Sequence, residues 1–108
     1  MDPIKDKLRY HALYDIYQGL LTDKQKQYFE YYYFEDYSLS EIAEMLDVSR
    51  NAVHDQVKKV LEHLDHYEST LKILDKHQKR SKLIQQLENH FNDDESKKLL
   101  KNLEKLEE

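Results

Sequence analysis

Ser38-Leu39-Ser40-Glu41-Ile42-Ala43-Glu44-Met45-Leu46-Asp47-Val48-Ser49-Arg50-Asn51-Ala52-Val53-His54-Asp55-Gln56-Val57-Lys58 is the stretch that decides the fold. Ser38 and Glu41 form a capping box, in which each side chain bonds the other residue's backbone amide. They open a short helix carrying Ile42, Ala43, Met45 and Leu46. Asp47-Val48-Ser49 is a tight break, and Ser49 is an N-cap for a second helix. Two helices that cross closely need a small residue at the crossing, and Ala43 supplies it. Ile42, Leu46, Val48, Val53 and Val57 fall where the shared core requires apolar side chains. The pattern predicts a helix-turn-helix. Asp47 stands at a turn position where Gly is usual, and Asp tolerates left-handed backbone better than most residues. Gln56 stands where an apolar residue is common, and Val57 can make that contact.

The outward positions of the second helix are Ser49, Arg50, Asn51, His54, Asp55, Lys58 and Lys59. These are the candidate nucleic-acid-binding residues. Arg grips guanine edges and Asn adenine edges, while Ser and Lys suit phosphates.

Helical signals continue on both sides. Upstream, Leu8, Ala12, Leu13, Ile16 and Tyr17 make an apolar stripe over residues 6–18. Gly19 is expected to end that helix in the left-handed conformation. Thr22-Asp23-Lys24-Gln25 reads as another capping box, opening a helix with Tyr28, Phe29, Tyr32 and Tyr33. The run from Tyr28 to Phe34 has strand-like residues, but there is no second strand to pair with it. The aromatic cluster from Tyr28 to Tyr37 is assigned to core and dimer interface rather than to base stacking. Downstream, Val57, Leu64 and Leu71 are spaced by sevens, as are Val60, Tyr67 and Leu74. This heptad-like seam predicts one long helix, or two, packed on the N-terminal helix or on a second subunit. Leu83, Ile84, Leu87 and Phe91 form a further stripe. Asn92-Asp93-Asp94-Glu95 is a polar break with N-cap character. Leu99, Leu100, Leu103 and Leu106 lie on a final Lys/Glu-rich amphipathic helix.

Composition bounds the rest. The chain has 108 residues, one Gly, one Pro and no Cys. So few glycines exclude phosphate-cradling loops and dinucleotide fingerprints, and the scarcity of turn residues argues against sandwiches and barrels. Without Cys there is no disulfide, thiolate metal site or cysteine nucleophile. No signal peptide and no window of ~20 apolar residues is visible, so the expected location is cytoplasmic, with no membrane insertion. There are 17 basic and 22 acidic residues, a net charge of −5, and residues 1–48 carry five basic and ten acidic ones. That balance is unlike that of a strong non-specific DNA binder. His63 and His66 lie one turn apart with no third ligand in nearby sequence, and they read as surface histidines. The Ser, Asp and His residues assemble no catalytic constellation, so no enzyme and no cofactor are expected. The Lys/Glu runs at 72–82 and 95–108 read as solvated helix faces.

Residues 20–65 resemble the DNA-binding fourth region of bacterial sigma factors. A closer resemblance covers most of the chain. Ala12-Leu13-Tyr14-Asp15-Ile16-Tyr17, Leu20-Leu21-Thr22-Asp23-Lys24-Gln25, Tyr31-Tyr32, Asp36-Tyr37-Ser38-Leu39-Ser40-Glu41-Ile42-Ala43 and Val48-Ser49-Arg50-Asn51-Ala52-Val53 look like the YlxM family. The resemblance implies a regulatory role and a link to the signal recognition particle pathway. The chain is thus expected to be a single all-α domain, 1–108, with a sigma-region-4-like helix-turn-helix core at 20–65. Residues 66–91 would be a packing or dimerising extension, and 92–108 a charged helix or tail. The expected function is DNA-binding regulation by a homodimer. The alternative is an accessory protein that binds the RNA or protein subunit of the signal recognition particle.

Overall fold

In the computed structural model, residues 3–106 are described and six α-helices account for most of them. Met1, Asp2, Glu107 and Glu108, the ends of the N-terminal segment and C-terminal tail in the sequence reading, lie outside the described residues. The helices are α1 (Pro3–Tyr17), α2 (Asp23–Phe29), α3 (Leu39–Leu46), α4 (Arg50–Leu71), α5 (Ile73–His90) and α6 (Asp94–Leu106). Two compact units result, residues 1–71 with α1 to α4, and residues 72–108 with α5 and α6.

In the first unit α4 is the central element, packed by α1, α2 and α3. Val53, Val57, Val60 and Leu64 recur at intervals of three and four and are all buried. At that spacing they share one face of a helix. Tyr28, Ile42, Ala43, Val53 and Val57 form one core cluster, with Tyr31, Tyr33, Tyr37, Leu39 and Leu46 packed around it. Among the described side chains of α1, Leu13, Tyr14 and Tyr17 are buried. Leu8, expected on that stripe, is instead exposed. Tyr14, outside the expected stripe, takes a core position and stacks on Phe29 with ring centroids 4.3 Å apart.

Both capping boxes form. Thr22 Oγ1 accepts from the Gln25 amide and Gln25 Oε1 from the Thr22 amide. Ser38 Oγ and Glu41 Oε1 do the same for each other's amides. Gly19 departs from expectation: no described glycine has positive φ, and Gly19 lies in a 3-10 turn, Gln18–Leu20. The end of α1 tightens, and the Leu21 amide donates to the Gln18 carbonyl at 3.1 Å. This removes the need for a left-handed cap.

The aromatic run is helical, but not regularly so. After Phe29 the chain widens into a π turn, Glu30–Phe34, closed by the Glu35 amide on the Glu30 carbonyl. In a regular α-helix, residue i+5 points about 140° away from residue i. The wider turn returns it to the same side. Tyr33, four residues on, stacks on Phe29 at 4.6 Å, and the wider turn lets Phe34, five residues on, meet the same ring edge-on at 5.7 Å. His11 from α1 donates its Nε2–H to the Tyr33 carbonyl at 3.2 Å. This satisfies one acceptor that the helix end leaves open.

Three sharp turns use non-glycine residues in the left-handed region: Asp36, Asp47 and Lys72. Asp47 has φ 54° and ψ 49°. The Val48 amide reaches the Ala43 carbonyl at 3.0 Å and the Asp47 amide the Glu44 carbonyl at 3.4 Å, a Schellman closure of α3. A side chain in this conformation costs roughly 1–2 kcal/mol, offset partly by the greater unfolded-state freedom of Gly. Asp47→Gly is thus expected to stabilise the first unit by up to ~1 kcal/mol. A thermal melt of the variant checks this, and a lower midpoint would show that the Asp47 side chain contributes more than its strain.

The same geometry at Lys72 ends α4. The heptad seam is thereby cut between Leu71 and Leu74, which lie on different helices. Leu64 is buried, Tyr67 half-buried and Leu71 exposed. In the second unit α5 packs against α6, with Ile84 and Leu100 buried. Asp93 caps α6 by accepting from the Ser96 amide at 2.9 Å, and that bond holds its carboxyl below the usual range.

Burial and the Asp65 hydrogen bond push the Tyr10 phenol up to about 12, and burial pushes Tyr33 up to about 12 as well. Burial and a bond to Glu30 raise Tyr14 further. A folded-state pKa above the unfolded value stabilises below the unfolded pKa and loses that stability as pH rises through the folded one. Helicity is therefore expected to hold to about pH 10 and to fall between about pH 10 and 12. Tyrosinate absorbance should rise in two phases, the second coincident with unfolding. A single phase with helicity intact would remove these tyrosines from the stability of the fold.

Candidate nucleic-acid interface

The surface of interest begins at the turn that places α4 across α3. Ala43 and Ile42 are buried beneath the crossing, together with Val53 and Val57. Ser49 caps α4, its Oγ accepting from the Ala52 amide at 3.0 Å and its carbonyl from the Val53 amide at 3.1 Å. The Ser49 acceptor is thus used within the fold, while its hydroxyl hydrogen remains able to donate to a phosphate.

Burying Val53, Val57 and Val60 forces the opposite face outward. Ser49, Arg50, Asn51, His54, Asp55, Lys58 and Lys59 are all exposed. Arg50, His54 and Lys58 recur every fourth residue and form one row; Asn51, Asp55 and Lys59 form the next. From Arg50 to Lys58 the helix rises about 12 Å. A helix with its side chains is about 10–12 Å across, which a major groove about 12 Å wide admits. His54 Nδ1 lies 3.7 Å from Asp55 Oδ1, a loose contact that attracts only when His54 is protonated. Asp55 sits between base-reading and phosphate-binding types, and its charge opposes phosphate. Glu44 and Asp47 are exposed on the preceding helix and its turn. Across residues 1–71 there are eight basic and fourteen acidic residues. Arg50, Lys58 and Lys59, the basic residues of the α4 face, thus lie on a unit with an excess of acid.

A groove of about 200 Å³ flanks this patch, lined by Tyr32, Tyr33, Leu39, His54, Val57, Lys58 and Leu61. The spacing of α4 alone locates His54 and Lys58, but not their juxtaposition with Tyr32, which depends on how the π turn seats the aromatic run. A second, acidic cleft shares Tyr32 and Tyr33 and is lined also by Asp6, Lys7, Asp36, Tyr37, Ser38 and Glu41. Lys7 Nζ reaches Asp36 Oδ1 across it at 3.0 Å. His63 and His66 are exposed on α4, with Tyr67 6.2 Å from each ring. No group of three or more His, Cys, Asp or Glu among the described residues is arranged to hold a metal ion. No described helix is long and apolar enough to cross a membrane.

A tight left-handed turn, a small residue at the crossing and a second helix with one buried and one polar face define a helix-turn-helix protein of all-α architecture. Residues 4–104 match the family model described as "Putative helix-turn-helix protein, YlxM / p13 like". The chain belongs to this family, UPF0122. A UPF0122 protein of Anoxybacillus flavithermus is 48% identical over 104 residues, covering 92% of this chain and 94% of the relative. One from Halalkalibacterium halodurans is 51% identical over 80 residues, covering 74% and 73%. One from a Geobacillus species is 42% identical over 109 residues, covering 96% and 99%.

Proposed function

We propose that this protein is a cytoplasmic regulator that binds DNA as a homodimer, with the first half of α4 in the major groove. The observation that carries the reading is the paired rows Arg50/His54/Lys58 and Asn51/Asp55/Lys59, all exposed on a helix whose other face is anchored in the core. Arg50 and Asn51 read base edges, and Ser49, Lys58 and Lys59 hold phosphates. Two copies on a pseudo-palindromic site would place their helices about 34 Å apart.

A second reading is favoured by charge. With only three basic residues on the exposed α4 face and an acidic unit behind it, phosphate contacts are few. Binding should be weak, with a shallow salt slope. The family's helix-turn-helix would then serve as a scaffold for an accessory of the signal recognition particle, contacting its RNA or its protein subunit.

One titration separates the two. The protein is titrated at 50 and 200 mM salt with duplex DNA from upstream of its own operon, with a scrambled duplex and with signal recognition particle RNA. Preference for the upstream duplex supports the regulator. Arg50→Ala should then lose about 1–3 kcal/mol and relax specificity at one position. Binding to the particle RNA without any duplex preference would support the scaffold. Unchanged affinity and base preference in Arg50→Ala would remove that residue from base reading.

A further inference from the structure

The groove beside α4 has a composition that the helix-turn-helix itself does not require. Its floor is apolar, formed by Leu39, Val57 and Leu61, and one wall is the Tyr32 ring. Tyr32 is 37% exposed and is held by an edge contact to Tyr33, with centroids 5.1 Å apart and planes at 79°. Tyr33 is in turn stacked on the fully buried Phe29, so the wall is braced from the core. His54 and Lys58, the outer row of the candidate interface, line the same groove, and no carboxylate does. The carboxylates Asp6, Asp36 and Glu41 line the cleft that shares Tyr32 and Tyr33.

We propose that this groove receives one unpaired base of a nucleic acid lying on α4, stacked on Tyr32 with its phosphate held by Lys58 and His54. The inference rests on the nucleic-acid reading above and names the substrate class: a duplex with a bulged or flipped nucleotide. Size is the first argument. At about 200 Å³ the groove falls below the ~300–1,000 Å³ of sites for drug-sized ligands, and it suits one planar ring system. Charge is the second, because the Lys58 ammonium, with the His54 imidazole one turn away, sits at the α4 side, where a backbone tracking the recognition helix would pass. A fixed aromatic ring beside a cation is how proteins hold unpaired bases, whatever the base. The groove is also continuous with the α4 rows through two shared residues, so both can be occupied by one strand.

The test uses the full chain and four hairpins: an RNA with a single 2-aminopurine bulge, the same RNA fully paired, and the two DNA counterparts. Wild-type protein should prefer the bulged form about tenfold or more, the scale of one base–aromatic stack. It should also quench the 2-aminopurine fluorescence. Tyr32→Phe should keep the preference, Tyr32→Ala should abolish it at unchanged helicity, and Lys58→Ala should weaken both forms. Preference in both arms identifies the unpaired base itself as the ligand; preference in RNA alone adds its 2′-hydroxyl to the recognition. Equal binding of bulged and paired hairpins by wild type overturns the groove while leaving the interface intact. So does a Tyr32→Ala variant that alters self-association but keeps the preference. Binding to none of the four overturns both.

Discussion

Phe29→Ala is expected to lower the stability of the first unit by about 3–5 kcal/mol, the usual cost of removing a large aromatic from a closed core. Phe29 is 0% exposed. It is stacked on one side by Tyr14 at 4.3 Å and on the other by Tyr33 at 4.6 Å, and Phe34 meets it edge-on. Its loss leaves three rings without their common partner. Against a total of about 5–15 kcal/mol for a small domain, that is enough to unfold a large fraction of molecules on mild heating. Urea denaturation followed by far-ultraviolet circular dichroism measures it. The wall of the groove should fail as well, since Tyr33 braces Tyr32. Phe29→Leu keeps most of the volume and should cost much less. A loss under 1 kcal/mol for Phe29→Ala would mean that the rings close over the gap and that the stack is not what joins α1 to the aromatic turn.

The second large effect lies where α1 meets the far end of α4. Glu68 is a buried carboxylate, and the Tyr17 hydroxyl donates to its Oε1 at 2.6 Å. Tyr17→Phe removes that donor and keeps the ring. It is expected to cost roughly 1.5–3 kcal/mol, because the carboxylate stays buried with one bond fewer. Tyr17→Phe combined with Glu68→Leu should recover much of the loss, since replacing both partners by apolar groups can be close to neutral. A double-mutant cycle in urea reads the coupling directly. Additive losses in the double variant would show that the two side chains act independently. Neither change touches the exposed rows of α4, so nucleic-acid affinity of the folded protein should stay the same.

Much of the first unit was legible in local sequence because its signals act over three or four residues. Thr22/Gln25 and Ser38/Glu41 cap their own helices, and Ser49 caps α4. Asp47 takes the left-handed turn in place of glycine, and it does so with side-chain types only five residues apart. The exposed identity of Arg50, Asn51, His54 and Lys58 follows from the period of the valines opposite them.

The misjudged features share a different cause. Gly19 looked like a left-handed cap because its type permits one, but the α1 end closed more tightly as a 3-10 turn. Leu8 matched the helical stripe, yet the stripe runs past the edge of what α4 and the aromatic turn can cover, so Leu8 stays exposed. The heptad spacing from Val57 to Leu74 allowed one helix or two, and the left-handed turn at Lys72, a residue whose type gives no warning of it, makes them two. Nothing in the run from Tyr28 to Phe34 specifies a π turn, and the ring that stacks on the other side of Phe29, Tyr14, comes from α1.

Sequence by itself determined the class of fold, the helix-turn-helix and the polar face of α4, because capping and amphipathic period are local and need no partner to be read. Tertiary structure alone decided which aromatic rings became core and which became a surface. It also decided that Tyr32 stands beside His54 and Lys58, a proximity between residues more than twenty positions apart that packing, not pattern, creates.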